Sequence, residues 1–103
     1  MWAQLMKMRL KPEREDDLAG VFAQLQALEQ PDSGLLRTMV MRNQNDPSQV
    51  HVLIVCESEE KARAREQDPR RQEGLKSARA AWGEILDGQV EFVDLTVLQD
   101  VSA

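Results

Sequence analysis

Residues 50–56 read Val50-His51-Val52-Leu53-Ile54-Val55-Cys56, and the distribution of apolar side chains in this stretch decides the fold. Successive side chains of a strand point to opposite faces of a sheet. Val50, Val52, Ile54 and Cys56 therefore share one phase, and Leu53 and Val55 share the other. A strand with one wetted face alternates apolar with polar, and this one does not. Upstream, Asn43 to Gln49 contains Asn45-Asp46-Pro47-Ser48 and reads as a hairpin loop. It joins a preceding strand, Leu35 to Arg42, where Leu35, Met39 and Met41 fall in one phase and Leu36 and Val40 in the other. Downstream, Ser58 is a good helix N-cap with Glu59 and Glu60 in the first turn. Asp68-Pro69 interrupts that helix, because a residue before proline is pushed out of helical angles.

The rest of the chain extends the pattern outward. A second helical piece spans about Arg70 to Leu86, with Leu75, Ala78, Trp82, Ile85 and Leu86 on one stripe, and Asp87-Gly88 ends it. Val90 to Leu98 is a further strand, setting Val90, Phe92 and Leu98 against Val93, Leu95 and Val97, and Gln99 to Ala103 reads as a frayed tail. At the other end, Trp2 to Leu10 is a strand stopped by Lys11-Pro12. Glu13 to Glu29 is helical in spacing, with Leu18, Val21, Phe22, Leu25 and Leu28 on one side and acidic residues at its positive end. Gln30-Pro31-Asp32-Ser33-Gly34 is turn chemistry. The order is β-α-β-β-α-β, an α+β ferredoxin-like arrangement with two helical regions on one face of a four-stranded antiparallel sheet. One domain spans residues 1–103. Helices on one face cover only one phase of each strand, so a second copy is expected over the other, as a homodimer through the sheet.

Composition narrows the partners. The chain has 42% apolar and 30% charged residues and a formal charge of −5, which opposes binding to nucleic acid or anionic lipid. No apolar run approaches the ~20 residues of a membrane span, and no opening segment resembles a signal peptide. The lone Cys56 has no disulfide partner within the chain, which points to a reducing cytoplasm.

Several segments in order resemble the antibiotic biosynthesis monooxygenase-like (ABM) family of the dimeric α+β barrel superfamily. They are Met8-Arg9-Leu10-Lys11-Pro12, Pro31-Asp32-Ser33-Gly34-Leu35, Val55-Cys56-Glu57-Ser58-Glu59-Glu60-Lys61-Ala62 and the helix break at Asp68-Pro69. The resemblance implies ferredoxin-like subunits that pair through their sheets into a dimeric α+β barrel. It also implies a ligand cleft between helices and sheet, and an activity among cofactor-free oxygenases of aromatic molecules, haem-degrading enzymes or small-molecule isomerases. Haem-degrading relatives place an asparagine on the first strand and a tryptophan and a haem-ligating histidine on the second helical region. Met6, Arg65 and Leu75 stand at those positions here, and His51 is the only histidine, so haem chemistry is not expected.

The remaining candidates are ligand contacts. Trp82 offers a stacking surface for a flat molecule, Arg65 and Arg79 border the apolar stripe of the second helical region, and Met6 and Leu75 supply apolar lining. His51 is a candidate base or polar contact, set against the commoner role of a structural histidine beside a hairpin. With one His and one Cys on opposite faces of a strand, no metal site is expected, and no cofactor is assigned. Two functions follow: a cofactor-independent monooxygenase acting on a small hydrophobic or aromatic molecule, or a non-catalytic dimeric module with a binding, structural or stress-related role.

Overall fold

In the computed structural model, which describes all 103 residues, the stretch 50–56 lies in the strand β3, Gln49–Cys56. Its neighbours are β1 (Trp2–Arg9) and β2 (Leu35–Arg42), and β4 (Glu91–Thr96) lies on the far side of β1. All neighbours are antiparallel, in the order β2-β3-β1-β4, which is the ferredoxin-like sheet. The helices are α1 (Leu18–Gln26), α2 (Glu59–Gln67) and α3 (Pro69–Ile85). None is long and apolar enough to cross a membrane.

Register explains where the core sits. Met8 pairs with Val50 and Met6 with Val52, so these side chains share the helix-facing side. Met8, Val50 and Val52 close there against Leu10, Leu18, Val21 and Ile85. Trp2, Cys56 and Ala62 form a smaller cluster at the other end. Burial is concentrated on β1 and β3, because those are the strands that the helices overlie.

The outer side carries an unbroken apolar row. Met39 pairs with Leu53, Leu53 with Leu5, and Leu5 with Val93, so the row crosses all four strands. The adjacent row runs Val55, Ala3, Leu95, and the row beyond runs Met41, His51, Lys7, Glu91. No helix lies on this side, and Met39 and Leu95 are 37% and 38% exposed.

Four local expectations are corrected. Leu35 pairs with Cys56 but Arg37 pairs with Val55, so a β-bulge takes up Leu36. A bulge sets two residues against one and reverses the phase beyond it. Leu35 and Val40 therefore share the helix side, while Met39 and Met41 face outward, rather than Leu35, Met39 and Met41 together. The first helix starts at Leu18 instead of Glu13, because Glu13 takes the left-handed φ of 66° and Glu15–Asp17 form a 3-10 turn. Its end is earlier too, at Gln26 rather than Glu29. The last strand stops at Thr96, leaving Leu98 unpaired and 93% exposed.

The capping chemistry is as the residues dictate. The Ser58 hydroxyl accepts from the Lys61 N–H at 3.1 Å. Asp68 holds an extended ψ of 121° and accepts from the Arg70 N–H at 2.9 Å, with Pro69 opening α3. The core packing is tested by contrast. Ile85→Ala, at a site 1% exposed, should cost about 3 kcal/mol in urea unfolding. Leu36→Ala, at the half-exposed bulge, should cost less than about 0.5 kcal/mol. Equal losses would contradict this division of core from rim.

Candidate functional site

The helices cover β1 and β3 but leave the inner side of β2 open, and the gap is a cleft of about 580 Å3, within the usual range for small-molecule sites. Its floor is Met6, Val52 and Ile54 from the sheet, its wall is Phe22 and Leu25 from α1, and its rim is Leu35, Leu36 and Val40 from β2. One end is charged, with Glu29, Arg65 and Arg71, while Arg37 borders the opening from a strand position whose phase is the outer one.

Local sequence places each charged group. Glu29 follows the α1 stripe of Leu18, Phe22 and Leu25 at helical spacing, so it is delivered to the same inner side just past the helix end. Arg65 lies one turn beyond the buried Ala62 of α2. Arg71 lies on the stripe of Leu75, Ala78, Trp82 and Ile85 in α3. Gly74, one turn after Arg71, allows close approach: a Cβ there would stand 2.1 Å from a Leu28 methyl carbon. The glycine thus lets α3 come against the segment that carries Glu29.

Arg65 grips Glu29 with two nitrogens, Nε to Oε2 at 2.8 Å and Nη2 to Oε1 at 2.6 Å. The pair is largely shielded, with side chains 12% and 20% exposed. Burial pushes the Glu29 carboxyl up, but contacts from Arg65 and Ser33 and the charges of Arg65 and Arg71 outweigh it, and its pKa lies below 4.5. Arg65 loses proton affinity to burial and regains more from Glu29. The Arg71 guanidinium is held down by burial and then by the charge of Arg65, and its Nη1 is buried without a hydrogen-bond partner. Burial likewise raises the Cys56 thiol above its ordinary range, against a smaller opposing effect of Arg65, which leaves a protonated core side chain rather than a nucleophile.

Among the expected contacts, Met6 and Arg65 meet at the cleft. Trp82 is outside the lining and packs T-shaped against Phe22 with ring centroids 5.2 Å apart, so it backs the wall. Leu75 is half-buried on α3 and outside the lining, and Arg79 is exposed on the far side of the stripe. His51 lies on the outer sheet face, between Lys7 and Met41 in the pairing, because β3 turns Val50 and Val52 inward. Phe22 and Glu29 were not singled out as contacts by sequence reasoning, and Arg71 entered it only within the basic run Lys61, Arg63, Arg65, Arg70, Arg71, Lys76 and Arg79, which reads either as steering for an anionic ligand or, more commonly, as a solvated helix face. The usable signal was a charge on an apolar stripe: Glu29 continues that of α1, and Arg71 that of α3.

The family model for antibiotic biosynthesis monooxygenases matches residues 1–77, a span that contains every cleft-lining residue. Similar solved structures include SnoaB, a cofactor-independent oxygenase from Streptomyces nogalater, at 15% identity and a TM-score of 0.76, covering 99% of this chain and 97% of that one. Rv0793 from Mycobacterium tuberculosis is 16% identical with a TM-score of 0.73 and 98% coverage of each chain. A conserved protein from Methanosarcina mazei Go1 is 16% identical with a TM-score of 0.72, covering 91% and 89%. At these identities the likeness is one of fold. No curated protein matches in sequence.

The shielded pair has a pH signature. Glu29 has a lowered pKa in the folded chain, so its contribution is complete above the unfolded value of 4.5 and is lost as pH falls through the folded one. Glu29→Gln should cost about 2 kcal/mol at neutral pH, since it removes the carboxylate bound by Arg65 and leaves only the more distant charge of Glu66 near Arg65 and Arg71. It should also flatten the acid limb of the stability profile below pH 4.5. Parallel profiles for the two proteins would contradict the assignment.

Proposed function

The chain belongs to the antibiotic biosynthesis monooxygenase family, and from that premise we propose that the cleft is the active site of a cofactor-independent monooxygenase for a small hydrophobic or aromatic molecule. The observation that carries the reading is the cleft itself, an apolar floor and wall closed at one end by cations. A flat substrate fits the space between Phe22 and the sheet, and burial there removes water from its reacting carbon. An activated C–H gives its proton to solvent, which later returns one to the peroxide anion, and the developing enolate oxygen is stabilised by the neighbouring arginines. The carbanion passes one electron to O2, the two radicals join in a C–O bond, and the hydroperoxide formed loses water. In sum, CH2 and O2 become C=O and H2O. The chain's part is to orient and desolvate, and the electrons come from the substrate.

One observation favours the second reading, a non-catalytic binding module. The cleft lining contains no histidine or tyrosine, and its sole carboxylate is engaged by Arg65. The oxygenase reading accordingly requires a substrate acidic enough to ionise with little help. We also propose that the outer sheet face pairs with a second copy, on the strength of the apolar row Met39, Leu53, Leu5 and Val93 with a polar margin of His51, Lys7 and Glu91.

Anthrone with oxygen-electrode detection tests the first proposal. The expected result is one O2 consumed per ketone formed, at a rate that rises with pH as the substrate ionises. Val40→Trp, at a rim position 43% exposed and therefore able to take a larger side chain, should fill the cleft and abolish turnover while the protein stays folded. No uptake above the spontaneous rate across anthrones and quinols leaves the binding module as the surviving function. For the pairing, the melting temperature should climb with protein concentration, as for any dimer that unfolds to monomers. Leu53→Asp should remove that dependence or make the chain insoluble. An unaltered melting curve for Leu53→Asp would mean that this face is free.

A further inference from the structure

We propose that the cleft takes an amphipathic ligand, a flat apolar body carrying an anionic oxygen group such as a carboxylate, and that Arg71 is the anchor for that group. This deepens the proposed function and rests on the cleft being the binding site. Three observations lead to it. The charged end holds two arginines, Arg65 and Arg71, against the single lining carboxylate of Glu29, in a chain whose overall charge is −5. That carboxylate is engaged at both oxygens by Arg65 Nε and Nη2. Arg71 Nη1 is buried and has no hydrogen-bond partner.

A guanidinium cannot escape its burial by losing a proton, and a buried donor without an acceptor is costly. Such a group persists where an acceptor arrives from outside, and the arginine fork is shaped for a planar two-oxygen anion. Arg65 is not the anchor, because an incoming anion would have to displace Glu29 from a bidentate contact. The Glu29–Arg65 pair instead fixes one wall and leaves Arg71 as the surplus charge. Met6, Phe22, Val52 and Ile54 offer the ring of the ligand an apolar bed next to that charge. A neutral amide of the same shape would fill the bed but offer Arg71 one carbonyl oxygen and no negative charge.

Calorimetry with 2-naphthoate and its uncharged isostere 2-naphthamide tests this directly. The wild-type chain should bind naphthoate at least about tenfold more tightly, the least that one charge-assisted hydrogen bond confers. Arg71→Met, which keeps the aliphatic stem and removes the charge, should bind the two compounds about equally, with the larger loss falling on naphthoate. Arg71→Gln provides the same comparison if Arg71→Met does not fold. Equal affinities in the wild type, or a naphthoate preference that survives both substitutions, would overturn the anchor while leaving the cleft as a binding site. Failure of both compounds to bind the wild-type protein, with Val40→Trp indistinguishable from it, would overturn the cleft reading and the anchor with it.

Discussion

Three short helices cannot cover both sides of a four-stranded sheet whose strands are apolar on both sides. This shortfall of cover is the constraint from which the rest of the molecule follows. The helices close over β1 and β3, where Val50, Val52 and Met8 are almost fully buried. What they leave open differs on the two sides. On the inner side the uncovered strip along β2 becomes a cleft with Val40 and Leu36 at its rim. On the outer side the apolar row from Met39 to Val93 has no cover within the chain. Cleft and outer face are thus two consequences of one deficit of helix.

Electrostatics gives the cleft its character. The chain is acidic overall, and most of its ion pairs join exposed side chains that contribute little to stability. The Glu29–Arg65 contact is different because both side chains are shielded and the geometry is two-pronged. Arg71, beside them, has no hydrogen-bond partner at its buried Nη1, and the charges of Glu29 and Glu66 offset its burial only in part. A protein that tolerates such a group gives up stability at that point, and misfits of this kind collect at functional sites. The surplus cation and the apolar bed beside it are the features that separate this cleft from an ordinary packing fault.

The element order was legible in the residues because it rests on strong local signals. Ser58 caps α2, Asp68-Pro69 divides α2 from α3, and Lys11-Pro12 closes β1, each through backbone chemistry that tertiary packing does not override. The apolar second phase of β3 was legible for the same reason, since period-two alternation is geometric. The bulge at Leu36 was not legible, because Leu35-Leu36 satisfies either phase and only pairing with β3 decides between them. The left-handed Glu13 was hidden by a run of acidic residues that reads equally well as a helix start. Site residues were harder still. Met6 and Arg65 line the cleft, whereas His51 lies on the outer face, because the apolar pattern of β3 does not by itself say which side the helices cover. Arg71 was hidden within a basic run, although its place on the stripe of Leu75, Ala78 and Trp82 marked it as the buried member.

Sedimentation velocity of the unaltered chain at micromolar concentration addresses the shortfall of cover most directly. If the outer row needs a second copy to exclude water, the particle will have twice the 11.7 kDa mass of the chain and will come apart only on further dilution. A stable, soluble 11.7 kDa particle throughout that range would contradict the account, because the apolar outer face would then be at home in water.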